Sequence, residues 1–250
     1  MTLLTMGALW YQDQVPGANM RLALITGTTR GLGLALADAM TARGAFVVGI
    51  ARGANNAHER RANTFALEED LVQIDQWLGT SFELSKVIEL SKLDELLFFN
   101  NAATIEPLNY VGKLPQVEAW RAVMLNYYAP LRLVDYVMRL QKGFGFRLHL
   151  INISSGAATR PISGWSLYCS SKAACRSFFD VTAAENRDNP LISVSNIDPG
   201  VIDTNMQDTL RNTTPDQFPD AESFRRLKLM GKLQAPDVAA QKLLEALTIS

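Results

Sequence analysis

Residues 21–33 read RLALITGTTRGLG. The first six form a short apolar run that stops at a glycine-rich turn, the pattern of a strand buried in a parallel sheet. From Gly31 to Arg43 the spacing changes. Leu32, Leu36 and Met40 recur at helical intervals, and Gly44 stands where a helix C-cap would. A strand that passes through a glycine turn into a helix opens a βαβ unit.

The rest of the chain repeats this alternation. Residues 46–51 (FVVGIA), 71–75 (LVQID), 96–99 (LLFF), 147–153 (RLHLINI) and 191–197 (LISVSNI) read as strands two to six. A polar segment with helical character runs from strand two to about Phe65, and residues 77–92 are mixed and partly helical. Long helical patterns cover 115–141 and 164–186, two short helices cover 203–231, and a last helix covers 236–247. The expected fold is α/β, a Rossmann-type doubly wound parallel sheet with helices on both faces, forming a single domain over residues 20–250. Residues 1–19 lack the basic start of a signal peptide and show no regular pattern, so a mobile N-terminal extension is expected there.

Composition narrows the function. A chain of 250 residues, 48% hydrophobic, can build one core without a metal or disulfide staple. With 24 basic and 25 acidic residues and no basic stretch, it has no electrostatic footprint for nucleic acid. No apolar run reaches the length of a membrane span. Cys169 and Cys175 are too few and too close for a disulfide framework or zinc site; they read as packing residues of one helix, reduced in a cytoplasmic protein. His58 and His149 lie in no metal-ligand pattern.

In such sheets ligands bind beyond the carboxyl ends of the strands. After strand one, Gly27, Gly31 and Gly33 allow a tight turn, close approach of backbone to a phosphate, and close helix packing. The next helix then aims its N-terminal amides at a pyrophosphate. After strand two, where an NAD-binding fold places an acid for the ribose, the chain has Ala51-Arg52. Arg52, with Arg30 from the glycine loop, suits a 2′-phosphate instead, which points to NADP(H). After strand three, Asp75 is placed to accept from an adenine amino group. After strand four comes NNAA (100–103), after strand five Ser154 and Ser155, and after strand six Pro199, Gly200 and Thr204. Tyr168 and Lys172 stand four apart in the helix that follows. That spacing places them on one face, as any amphipathic helix could, or as a catalytic pair would.

Jointly these residues resemble the short-chain dehydrogenase/reductase family. The likeness is carried by TGTTRGLG (26–33), NNAA (100–103), Asn126, Ser155, Tyr168 with Lys172, and Pro199-Gly200 followed by Thr204, and it covers 20 to about 247. The spacing of thirteen between Ser155 and Tyr168 is the family's and selects Ser155 over Ser154. Ala103 stands where the family usually has glycine. A narrower likeness, in NNAATIEPLNYVGK, ISSGAATRPISGWSLYCSSKAA and NIDPGVIDTNMQ, is to the sepiapterin reductase-like branch. That branch includes bacterial NADPH-dependent carbonyl reductases that reduce one ketone of an α-diketone such as benzil.

The resemblance implies hydride transfer from NADPH to the carbonyl of a small molecule. Asn126, Ser155, Tyr168 and Lys172 are its catalytic candidates. Tyr168 is the general acid/base, and the charges of Lys172 and of an oxidised nicotinamide are together expected to lower its pKa from about 10. Ser155 hydrogen-bonds the substrate oxygen, Lys172 also holds the nicotinamide ribose, and Asn126 interrupts its helix and holds a water on a proton chain to Lys172. Cofactor contacts are implied at Gly27, Thr29, Arg30, Gly31, Leu32, Gly33, Arg52, Asp75, Asn101, Ala102, Ala103, Tyr168, Lys172, Pro199, Gly200, Val201 and Thr204. Substrate contacts are implied at Ser155, at Trp165 and at Met206, the last in a mobile lid over 203–231. The family adds a seventh strand after the last helix; here that edge strand, with any C-terminal substrate anchor, is expected to be missing. A homodimer through the helices at 115–141 and 164–186 is also implied. The competing readings are a ketoreductase or alcohol dehydrogenase on another small carbonyl substrate, and an NADP(H)-binding regulator without catalysis.

Overall fold

The computed structural model describes residues 20–53, 63–80, 82–214 and 216–249. Residues 1–19, His58 and most of the segment between strand two and Phe65 lie outside them. The first strand, β1 (Met20–Thr26), leads into α1 (Gly31–Ala42), β2 (Phe46–Ala51) and β3 (Thr64–Glu68). The chain then crosses to β4 (Leu93–Asn100) and continues through α2 (Gln116–Val123), α3 (Ala129–Phe144) and β5 (Arg147–Ile153). It ends with α4 (Ser166–Glu185), β6 (Ile192–Ile197), α5 (Asn205–Asn212), α6 (Ala221–Leu229) and α7 (Pro236–Ala246). All neighbouring strands pair in parallel, in the order β3-β2-β1-β4-β5-β6. The sheet is therefore the doubly wound one expected, and among the described residues β3 and β6 are its edges.

Alternate residues of each strand point to opposite faces, and both faces are dry. Leu22, Leu24, Phe98 and Leu150 meet Leu133 and Val137 of α3 and Phe179 of α4 on one side. Ala23, Ile25, Phe99 and Ile151 meet Leu36 and Met40 of α1 and Leu243 of α7 on the other. Strands covered on both faces explain why they read as continuous apolar runs.

The third strand is a correction. It is Thr64–Glu68, not 71–75. Residues Leu71–Gln73 form a 3-10 turn and Ile74–Trp77 a single helical turn. Asp70 starts them, its side chain accepting from the amide of Val72 at 3.0 Å, as an N-cap does. The buried residues Leu71, Ile74 and Trp77 recur at three-residue intervals, which is helical rather than strand periodicity. Thr64 and Phe65, placed in a helical segment by their sequence neighbours, pair with Val47 and Val48 of β2.

Three asparagines in register cross the sheet. Asn100 donates to Asn152 at 2.8 Å, Asn152 donates to Asn196 at 2.7 Å, and Asn196 reaches Asp180 of α4 at 2.7 Å. The free thiol of Cys175 on α4 lies 3.5 Å from both Asn100 and Asn152. This chain of amides anchors α4 over β4–β6. His149 in β5 is spent likewise on Ser195 of β6, 2.8 Å away. No described helix is long and apolar enough to cross a membrane. Asn152→Leu keeps the branched shape but takes a partner from the buried amide of Asn100 and the half-buried one of Asn196, so it should destabilise the protein by about 2–4 kcal/mol, read as a fall in the urea midpoint. A loss below roughly 0.5 kcal/mol, the level of a surface change, would mean the ladder is not structural.

Candidate active site

The chain leaves β1 for β2 on one side and returns to β4 on the other. The loops at the carboxyl ends of β1 and β4 therefore diverge, and a crevice opens between them. A cavity of about 1050 Å³ occupies it, reaching from Arg52 beyond β2 to Trp165 before α4. That is the upper end of ordinary ligand-site volumes.

The floor of the crevice is made by close backbone contacts. Gly27 and Gly31 adopt φ of +75° and +57°, a region glycine enters without penalty. At Gly33 a Cβ would sit 2.1 Å from the carbonyl oxygen of Gly27, so only glycine fits. The N-cap of α1 is Arg30, which makes no side-chain cap, and the first turn carries no acid. Its amides and positive dipole end are left to an anion. Thr29, Arg30, Leu32, Arg52, Asn101, Ala102, Ala103, Pro199, Gly200, Val201 and Thr204 line the same cavity. Cradle and volume fit a dinucleotide.

Asp75 is not among the lining residues and is a second correction. Because 71–77 is helical, Asp75 faces outward and accepts from Tyr128 Oη and Arg132 Nε, both at 2.6 Å. Those two bonds hold its carboxyl below the usual range, the tyrosine bond most strongly. Glu69 and Asp70, directly after the true β3, line the cavity where Asp75 was expected. Asp70 was findable as an acid just before an apolar turn; Glu69 gave no comparable signal.

Ser155, Tyr168 and Lys172 come together at the other end. Ser155 follows β5 in extended backbone and caps the 3-10 turn Gly156–Ala158, its Oγ accepting from the Ala157 amide at 3.2 Å. It is also hydrogen-bonded to the Tyr168 phenol. Ser154 lines the cavity too, but its hydroxyl has no partner among the described residues. Lys172 is 4% exposed; its Nζ donates to the carbonyl of Ile153 at 2.7 Å and lies 5.9 Å from the Tyr168 ring centre.

Burial pushes the Tyr168 phenol up to about 12, against a smaller downward effect of the Ser155 hydrogen bond. Burial also lowers the ammonium of Lys172. In the protein without a nicotinamide, desolvation of the phenolate outweighs the hydrogen bond.

Asn126 stands behind the cavity wall. The helix over 116–144 is broken at Met124–Tyr128 into a π turn. Its cause is Pro130, which has no amide to give back to the Asn126 carbonyl four residues earlier. The Asn126 side chain accepts from the Thr104 amide and donates to the Thr104 carbonyl, both at 2.8 Å, and reaches Ser171 at 3.2 Å. Its amide thus positions the loop after β4 beside α4.

Trp165 and Met206 line the cavity, with Phe224 of α6 beside them. Trp165 is also a core residue. Its ring stacks on Phe218 at 5.1 Å and meets the Tyr168 ring edge-on at 5.1 Å. With Ile105, Leu108 and Leu210 these form a third apolar cluster over the catalytic end. The aromatic partners on 216–229 were missed because they are distant in the chain from Trp165.

A family model described as short chain dehydrogenase matches residues 21–215. A benzil reductase ((S)-benzoin forming) of Bacillus cereus is 32% identical over 229 residues, covering 89% of this chain and 92% of its own. Sepiapterin reductase of Bos taurus is 31% identical over 254 residues, covering 94% and 92%. Among solved structures, that of the KRED1-Pglu enzyme superimposes with a TM-score of 0.75 at 29% identity, over 88% of this chain and 92% of that one. With the parallel sheet, the glycine cradle and the Ser155–Tyr168–Lys172 cluster at one crevice, the chain belongs to the short-chain dehydrogenase/reductase family of oxidoreductases.

Proposed function

We propose that the protein is an NADPH-dependent carbonyl reductase whose substrate is an α-diketone such as benzil, or a sepiapterin-like ketone. The observation that carries this reading is the Tyr168 phenol, hydrogen-bonded to Ser155 in front of buried Lys172. The glycine cradle and the cavity support a dinucleotide beside it. The reductases of Bacillus cereus and Bos taurus support the substrate class.

When bound, the reduced nicotinamide supplies a hydride to the carbonyl carbon. This chain's residues do the rest. Ser155 donates to the carbonyl oxygen and steadies the charge that develops there. Tyr168 gives that oxygen its proton. A phenol whose pKa lies near 12 is fully protonated at neutral pH, which is the state a reduction needs at its start; an oxidation would need the phenolate. Lys172 holds the nicotinamide ribose, and Asn126 positions the loop at Thr104 and a water behind the lysine. Arg30 and Arg52 hold the 2′-phosphate, while Glu69 and Asp70 are the acids beside the adenine. The domain spans residues 20–250. It works as a cytoplasmic homodimer paired through α2–α3 and α4, where Val117, Trp120 and Val181 are exposed.

The purified protein should oxidise NADPH with benzil, small diketones or sepiapterin, and NADH much more slowly. Tyr168→Phe should cut kcat by about a thousandfold or more while NADPH still binds; unchanged turnover would sink the assigned role. Arg52→Asp should raise the KM for NADPH by about tenfold or more and the KM for NADH far less. An unaltered preference would refute the 2′-phosphate assignment. Tyr168 itself can be titrated as the difference in 295 nm absorbance between the wild type and Tyr168→Phe without cofactor. Its folded pKa is raised, so the signal should stay flat through pH 10 and rise only near pH 12. A rise at pH 10 or below would show that burial does not control it.

A further inference from the structure

The carboxylate of Asp198 stands beside the catalytic end, and the proposed reaction gives it no role. Asp198 is the first residue beyond β6, and Ser154 the first beyond β5. Ile153 and Ile197 are paired, and the Ser154 amide donates to the Ile197 carbonyl at 2.8 Å. Neighbouring strands lie about 4.8 Å apart, so the register sets Asp198 beside Ser154. The peptide bond from Ile153 to Ser154 carries the carbonyl that receives the Lys172 ammonium at 2.7 Å. Asp198, Ser155, Tyr168 and Lys172 line one cavity. The carboxylate is also fixed. It accepts from the Gly200 amide at 2.9 Å, closing a turn two residues on. Pro199 between them has its own φ locked, and Gly200 takes φ of +76°. Asp198 has no ion pair among the described residues. The turn needs an oxygen but no charge, since asparagine or serine closes it too.

The other ionisable groups of this end are Glu106 after β4, Arg160 after the 3-10 turn, Asp208 of α5, which is paired with Arg211, and Cys169 and Cys175 of α4 itself. Burial pushes the Cys175 thiol up to about 11, so it is uncharged at neutral pH. Among these groups Asp198 alone acts on both Tyr168 and Lys172. Burial is the largest influence on each, raising the phenol and lowering the ammonium; the charge of Asp198 raises both. It therefore adds to burial at the tyrosine and opposes it at the lysine. We propose that Asp198 is a positioning residue for proton transfer, its carboxylate held at the end of β6 as the fixed counter-charge that keeps the Lys172 ammonium and the Tyr168 phenol protonated. This rests on Tyr168 and Lys172 being the catalytic pair of a carbonyl reductase. A reduction begins with a protonated phenol beside a charged lysine, so the carboxylate favours that direction. Without it, both groups lose their protons at lower pH.

The test is Asp198→Asn, which keeps an acceptor for the Gly200 amide and deletes the charge. The Cε resonance of Lys172 is followed against pH in protein carrying carbon-13 lysine, and is assigned with Lys172→Met. Its midpoint should fall by about half a unit or more. The fall should shrink at high salt, because Asp198 is exposed and its charge is screened, and Asp198→Glu should recover part of it. In turnover of benzil with NADPH, the alkaline limb of the kcat profile should move to lower pH by the same amount. A Lys172 midpoint unmoved in folded Asp198→Asn overturns the inference. So does a kcat lowered equally at every pH with the limbs in place, which is the mark of a structural residue. Should Asp198→Asn not fold, Asp198→Ser, which also offers the turn an oxygen, is measured in its place. If no carbonyl is turned over, the carbonyl reductase reading fails by itself, and the Lys172 midpoint still decides the role of Asp198.

Discussion

Two loops end on one hydroxyl. Thr26 Oγ1 accepts from the amides of Asn101 and Ala102 at 3.0 and 2.9 Å, and the Asn101 side chain returns a bond to the Thr26 carbonyl at 2.8 Å. This junction sits where the strand order reverses, between β1 and β4. The loops there diverge, and their backbone groups would be unsatisfied without a local partner. The Asn101 amide nitrogen also lies 2.5 Å from where a Cβ on Gly33 would stand, so the glycine turn, the helix start and the β4 loop share one packed contact. The cofactor cradle and the catalytic end are set by the strands that meet at this junction.

The catalytic end works under a second constraint, dryness. Tyr168 is 7% exposed and Lys172 is 4% exposed. Burial moves both groups toward their neutral forms, the phenol up and the ammonium down. A site of this kind holds its proton until a charge arrives, because an added positive charge in a medium of low polarity acts strongly on a nearby phenol. Desolvation thus suits Tyr168 to donate in the reductive direction. Lys172 is kept in place by a backbone carbonyl rather than by an acid.

The roof of the site is tied to this dry end by aromatic packing. Phe218 stacks on Trp165, which touches Tyr168, and Phe224 tilts against both Trp165 and Phe218. Gly164 allows the segment at 217–218 to come close, since a Cβ there would lie 2.5 Å from the Gln217 carbonyl. The helices α5 and α6 are therefore coupled through one tryptophan to Tyr168. A substrate that wedges against Trp165 would be felt by both.

The sequence alone determined the features whose signals are local. The strands β1, β2, β4, β5 and β6 were legible because burial on both faces makes them apolar runs that end at glycine, asparagine, serine or proline. The glycine turn at 26–33 and the pair Tyr168–Lys172 were legible because their parts are close in the chain. Tertiary structure decided the rest. A short edge strand, TFALE, and a buried helical turn, LVQID, differ little in composition, and only the pairing of Thr64–Glu68 with β2 distinguishes them. That choice took Asp75 out of the site and put Glu69 and Asp70 into it. The break at Asn126 could be read from Pro130 four residues later, but the bonds of Asn126 to Thr104 and Ser171 could not. The direction of the Tyr168 shift depends on how much water the fold excludes. That is a sum over neighbours from distant parts of the chain, and no local spacing records it.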